Sequence, residues 1–354
     1  MRGSAGSSAV ARAPLALLLT GALLIGCGRA EPARRTVEFS GPTMGATWSV
    51  KVVPAGEGLS GEESTAVDRS IRDDLARIEG LMSTWDPESE LSRFNTSQST
   101  DPFPVAQETF DVFRWAADLA DLTGGALDVT VAPLVDAWGF GTGGAAAAPP
   151  EAAELARLRE MTGQRHLTLI PDPPSVRKAN AALRVDFSSI APGYAADRLA
   201  SLMENRGFTD FLVDVGGELV ARGRNETGVP WQVAVERPDT VRRTASRVLP
   251  LLDVAVATSG DYRNYREAQG ERISHIIDPR TGAPIRHRLA SATVVDPLAV
   301  RADGFATALM VLGPEEGLGL ATRLDLAALL LVRNADGGFD ELVSPRFEAM
   351  MGTP

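Results

Sequence analysis

Apolar residues recur along this chain at two periods, and each change of period marks an expected change between strand and helix. Short apolar runs at residues 37–39 and 47–53 predict strands, separated by the turn-forming Ser40-Gly41-Pro42-Thr43-Met44-Gly45. Residues 66–82 place Ile71, Leu75, Ile78 and Met82 on one helical face, and residues 107–122 do so with Phe110, Phe113, Ala117 and Ala120. Further helices are expected at 151–159, just after Pro149-Pro150, and at 194–206. Strands at 211–215, 218–221, 231–236 and 251–255 follow. Helices at 303–312 and 315–323 come next, then a hairpin of 326–332 with 339–343 around Asp336-Gly337-Gly338. Strands mixed with long helices, without regular strand–helix alternation or a short-period repeat, predict an α+β architecture.

The N-terminus departs from this pattern. Arg2 and Arg12 precede an apolar and small-residue run at 15–25 that ends in Leu24-Ile25-Gly26-Cys27. The run is shorter than the ~18 apolar residues a membrane span needs, so it reads as a secretory signal. A small residue before Cys27, the only cysteine of the chain, suits a bacterial lipoprotein signal. Residues 1–27 are therefore expected to be the signal, with Cys27 lipidated, residues 28–36 a tether, and residues 37–354 the working domain. A multiply acylated Cys27 would hold the protein on a membrane without a spanning helix. The net charge of -11 and the lack of a basic stripe exclude nucleic acid as the expected partner.

Several short motifs carry chemistry. Asp303 and Thr307 stand one helical turn apart, so their hard oxygen ligands share a face, as Mg²⁺ would require; a solvated polar face has the same spacing. His275 lies between Arg272-Ile273-Ser274 and Ile276-Ile277, and reads equally as a general base or as a structural histidine. His166 and His287 read as structural. Asp186-Phe187-Ser188-Ser189-Ile190-Ala191-Pro192-Gly193-Tyr194 is a strand-to-helix turn, suited to an anion or to an ordinary cap. Val213-Asp214-Val215-Gly216-Gly217-Glu218 reads as a bulge or as a close approach to a ligand. Trp85, in Met82-Ser83-Thr84-Trp85-Asp86-Pro87, could stack on a flat ring or pack at a helix exit. Gly139 to Gly144 match the G-x-G-x-x-G pattern, but alanines and two prolines follow, so a Rossmann site is not expected.

In their order along the chain these motifs resemble the ApbE family. The resemblance runs through Met44-Gly45-Ala46-Thr47, Met82-Ser83-Thr84-Trp85, Ser89-Glu90-Leu91-Ser92-Arg93-Phe94-Asn95 and Gly124-Gly125-Ala126-Leu127-Asp128-Val129-Thr130-Val131. It continues through Trp138-Gly139-Phe140-Gly141, Asp186 to Asp197, Val215-Gly216-Gly217, Ala257 to Tyr262, Ser274 to Gly282 and Ala302 to Thr307. It implies a T-fold-related α+β domain that acts as a Mg²⁺-dependent FAD:protein FMN transferase. Such an enzyme moves FMN from FAD to a Thr or Ser hydroxyl of a target protein and releases AMP. The resemblance places Met44, Trp85, Ala126, Leu127, Asp128, Asp186 and Ile276 on FAD. It assigns Ser189, Asp303 and Thr307 to the metal, and His275 to the base. It also implies a periplasm-facing acceptor subunit of a membrane redox complex, which fits a lipid-anchored envelope protein. Where many relatives have a lysine this chain has Pro192, so a direct cationic contact there is either lost or supplied by another residue, Arg263 or Arg280. A Mg²⁺-dependent FAD pyrophosphatase and a non-enzymatic flavin-binding lipoprotein are the alternative readings.

Overall fold

The computed structural model describes residues 34–56, 58–144, 149–238, 244–262, 265–268 and 271–352. The expected signal, Cys27, the start of the tether and Arg263 lie outside them. By Arg34 the chain is already fastened to the domain, because Arg34 pairs with Asp210 and Thr36 donates to Glu226 Oε2 at 2.7 Å.

Eight strands form one sheet in which spatial order follows chain order. They are β1 (Val37–Thr43), β2 (Ala46–Val52), β3 (Phe211–Val215), β4 (Glu218–Arg222), β5 (Val254–Gly260), β6 (Leu289–Asp296), β7 (Ala327–Arg333) and β8 (Phe339–Val343). Every neighbouring pair is antiparallel. The sheet is thus a meander whose connections carry the helices, an α+β arrangement as the sequence predicts. Between β2 and β3 lie α1 (Gly61–Met82), α2 (Glu90–Thr96), α3 (Gln107–Leu122), α4 (Ala132–Ala137), α5 (Ala152–Met161) and α6 (Ala191–Asn205). Between β6 and β7 lies α7 (Ala299–Arg323), and α8 (Pro345–Met351) follows β8.

Both faces of the central strands are covered. Ala255, Ala257, Ala292, Val294, Ala328 and Leu330 pack in the main core with α1, α6 and α7. Their alternates Val256, Val295, Leu329 and Leu331 meet Trp231, Leu249, Leu251 and Phe347 on the other face. Every residue of β6 is buried, so the strand has no polar face and shows no two-residue alternation. That is why the apolar pattern left this interior strand unpredicted.

The predicted helices are present with corrected ends. α1 begins five residues earlier than periodicity suggests, because Ser60 and Glu63 form a reciprocal capping box that supports the polar first turns. In α3 the buried stripe contains Ala116, while Ala117 is only half-buried. The helices expected at 303–312 and 315–323 are the two arms of α7, which bends where Gly313 takes φ 81 ahead of Pro314. The first strand continues to Thr43, and Met44 (φ 48) with Gly45 (φ 71) makes a two-residue hairpin turn narrower than the one predicted. Residues 251–255 are not one strand: Asp253 at φ 55 breaks the chain between Ala245–Leu251 and β5. The strand Trp231–Glu236 is present but pairs with Ala245–Leu251 in a separate ribbon.

Candidate functional site

The motif segments are drawn together by packing between distant parts of the chain. Phe94 of α2, Phe113 of α3 and Phe187 stack edge-to-face with centroids 5.5 and 4.8 Å apart. Each such pair contributes about 0.5–1.5 kcal/mol beyond its burial. Asn95 then bonds both backbone groups of Val185, each at 2.8 Å, which fixes the chain entering Asp186. At the end of α3, Gly125 N–H donates to Ala120 O at 2.8 Å and Gly124 N–H to Asp121 O at 3.3 Å. Positive φ at both glycines permits this Schellman turn, and it aims Ala126, Leu127 and Asp128 away from the helix.

These segments enclose a cavity of about 750 Å³. Its wall includes Trp85, Ala126, Leu127, Asp128, Asp186, Ser189, His275, Ile276, Asp303 and Thr307, all residues singled out from the sequence. Met44 is the exception. It lies at the β1–β2 turn, outside this lining, where its N–H and the Thr43 hydroxyl both donate to Glu79 Oε1, at 2.5 and 2.8 Å. His166 and His287 are also absent from the lining. Trp85 is 71% exposed and presents a bare indole at the rim, whereas Ala126, Leu127 and Ile276 are buried and form an apolar floor.

Asp303 and Thr307 open from α7 onto the same end of the cavity. Burial, with the carboxylates of Glu218 and Asp197 nearby, pushes the Asp303 carboxyl well above its ordinary range, and the Gly193 N–H donated to Asp303 Oδ2 at 3.0 Å opposes this. Thr307 Oγ1 shares a hydrogen bond with Ser259 Oγ at 3.0 Å. Among the described residues no group of three or more His, Cys, Asp or Glu side chains converges as a metal cage. The donors present are instead a buried carboxylate, hydroxyls and Glu218, a hard-oxygen set that fits Mg²⁺ with other ligand oxygens completing its shell. Glu218, at the start of β4, is the wall carboxylate that the sequence reading missed; only the Gly216-Gly217 turn before it hinted at a ligand.

Two readings left open by the sequence are narrowed. At the turn into α6 the N–H groups from Ile190 to Gly193 are spent internally. Those of Ile190 and Ala191 donate to Phe187 O, that of Gly193 to Asp303, and Pro192 has none. Arg280 does not line this cavity: its guanidinium pairs with Asp278 at 2.9 Å and Glu316 at 3.6 Å. Asp128 and Asp186 each brace their own loop. Asp128 Oδ1 accepts from Thr130 N and Oγ1 at 2.9 and 2.6 Å, and Asp186 Oδ1 accepts from Ser188 N and Oγ at 2.8 and 2.5 Å. Burial raises the Asp128 carboxyl, and the Thr130 bonds partly offset it. The glycine run set aside as a false fingerprint follows α4, not a strand, yet Gly139, Phe140, Gly141 and Gly144 do line the cavity. His275 sits in the wall with its ring 6.4 Å from that of Phe140, edge-on.

Fold and cavity together define an α+β enzyme domain with an apolar, aromatic bed at one end of its cleft and hard oxygen ligands at the other. The pattern of the ApbE family matches residues 44–330. The chain is 41% identical to an FAD:protein FMN transferase of Vibrio cholerae over 95% of its own length and 98% of that protein's. It is 37% identical to one from Escherichia coli K12 over 95% and 97%. Among solved structures, the apo form of Pseudomonas stutzeri flavinyl transferase ApbE superposes with a TM-score of 0.82 at 38% identity, covering 91% of this chain and 98% of that one. The flavin transferase ApbE from Vibrio cholerae gives 0.79 at 39% identity, covering 89% and 98%. The chain belongs to the ApbE family, and it is a transferase.

Proposed function

We propose that this chain transfers FMN from FAD to a Thr or Ser hydroxyl of a target protein and releases AMP, with Mg²⁺ held by Asp303, Thr307 and Ser189. The observation that carries this reading is the shared cavity: an exposed indole and an apolar floor lie in one cleft with a buried carboxylate one turn from a hydroxyl. Trp85, Ala126, Leu127 and Ile276 would hold the flat ring. Asp303 and Thr307 would hold the metal, which supplies charge neutralisation at the pyrophosphate when bound. His275 would take the proton of the acceptor hydroxyl as its oxygen forms the new phosphoester bond. The bond to the AMP phosphate breaks in the same displacement, and AMP leaves with its bridging oxygen. In phosphoryl transfer most catalysis is positioning and electrostatics, and a base adds roughly 10²–10⁴-fold.

The apolar run at 15–25 and Cys27 support a lipid-anchored protein working in the periplasm on a subunit of a membrane redox complex. No helix of the described residues is long and apolar enough to cross a membrane. The test is incubation with FAD, Mg²⁺ and a candidate acceptor, followed by mass spectrometry of the intact acceptor. Added FMN supports the transfer. Release of FMN and AMP without labelled protein, for every acceptor tried, assigns a pyrophosphatase instead, and FAD that stays intact assigns a flavin-binding protein.

A further inference from the structure

The cavity wall carries the carboxylates of Asp128, Asp186, Glu218 and Asp303, but among its described residues Arg266 is the one arginine or lysine. A phosphate-bearing ligand entering such a wall meets repulsion except where cations stand. The Asp303–Thr307 end accommodates a metal. At the start of α6 the N–H groups of Ile190, Ala191 and Gly193 are already engaged.

Arg266 is well built for the remaining charge. It lies on the strand Tyr265–Ala268, opposite Ile273 of the strand Glu271–Ser274, and His275 follows directly. One small hairpin therefore delivers both Arg266 and His275 to the same wall. The guanidinium carbon lies 5.9 Å from the Phe140 ring centre, and Nη1 donates to Trp138 O at 3.3 Å. Phe140 in turn meets the imidazole of His275 edge-on. A guanidinium carries five N–H donors in a planar fork, of which Trp138 O takes one, and that fork matches paired phosphate oxygens.

We propose that Arg266 sets the ligand preference of the cavity by hydrogen-bonding the phosphate oxygens of FAD, so that a phosphate-bearing flavin is selected over riboflavin. This rests on the reading of the chain as an FAD-using transferase. It concerns binding alone.

The test is calorimetric titration of the purified protein with FAD and with riboflavin, in EDTA so that no metal contributes, at low and high salt. Arg266→Gln keeps most of the side-chain stem on Phe140 and removes the charge; Arg266→Lys keeps the charge and loses the fork. Loss of a charge-assisted hydrogen bond should weaken FAD about 10- to 100-fold in Arg266→Gln and flatten the salt dependence. Riboflavin binding and the melting temperature should stay near those of the wild type, and Arg266→Lys should recover part of the loss. Equal weakening of FAD and riboflavin would show that Arg266 only packs the wall, and unchanged FAD binding in both variants would remove it from the site. Wild-type protein that binds no FAD either in EDTA or with Mg²⁺ added would overturn the transferase reading itself.

Discussion

Gly193 and Asp303 are in contact across the α6–α7 interface: the glycine N–H donates to Asp303 Oδ2 at 3.0 Å, and a Cβ on Gly193 would stand 2.8 Å from Asp303 Cβ and 2.5 Å from Ala299 O. The glycine is therefore required by proximity and not by backbone strain. Its missing side chain lets the first turn of one helix fasten the carboxylate of the other.

Gly193→Ala should push the two helices apart. Overpacking of this kind costs about 1–3 kcal/mol, which urea denaturation would read as a lower midpoint. If Mg²⁺ binds at Asp303 and Thr307 as proposed, it should also stabilise the variant less than the wild type, because the displaced element carries both.

Asp303→Asn should separate stability from function. A buried acid whose pKa is raised stabilises the fold fully below its unfolded value, and that contribution is lost as pH rises through the folded value. At neutral pH without metal, Asp303 is therefore a burden that the amide removes while it can still accept from Gly193. The variant should melt higher than wild type in EDTA, gain little from added Mg²⁺, and lose flavin transfer. A variant that melts lower in EDTA would contradict the charge argument.

Asp197 makes a second pH-dependent link between the same helices. Its Oδ1 and Oδ2 accept from the N–H groups of Ala299 and Val300 at 2.8 and 2.9 Å, capping α7 from α6. Burial pushes its carboxyl up to about 6 despite these bonds. The sign follows as for Asp303: its contribution is full below the unfolded pKa near 3.8 and fades as pH rises through about 6. The stability of wild type relative to Asp197→Asn should therefore fall by roughly 2–3 kcal/mol between pH 3.5 and 7, measured by denaturation at a series of pH values.

Trp85, 71% exposed, makes little contribution to the fold. Trp85→Ala should leave stability within about 0.5 kcal/mol of wild type. If the indole stacks on the flavin ring, FAD affinity should fall about two- to tenfold, with Trp85→Phe intermediate. FAD should also quench tryptophan fluorescence by a smaller fraction in the variants.

Much of the cavity was legible through the order of the motifs and the resemblance they carry. Trp85, Ala126-Leu127-Asp128, Asp186, Ser189, His275-Ile276 and the Asp303–Thr307 pair all reach its wall. Met44 does not: its hairpin turn faces Glu79. Glu218 was seen only as the end of the Gly216-Gly217 turn, and Arg266 lies in a segment with no motif of its own. Only the pairing of β4 beside β5, and of one small hairpin, brings them into the cleft.

The sequence by itself determined the helices whose apolar faces recur at 3.6 residues, the turns that glycine forces, and the order of motifs that marks the family. Those properties depend on neighbours a few residues away. Tertiary structure decided that β6 lies inside the sheet with both faces covered, that the N–H groups of Ile190, Ala191 and Gly193 are consumed within the fold, and that Arg266 lines the cavity while Arg280 turns to Asp278 and Glu316. Burial on both faces erases the pattern that would announce a strand. The direction of a long charged side chain depends on which partners lie in reach, some next to it, as Asp278 is to Arg280, and some brought by folding, as Trp138 and Phe140 are to Arg266.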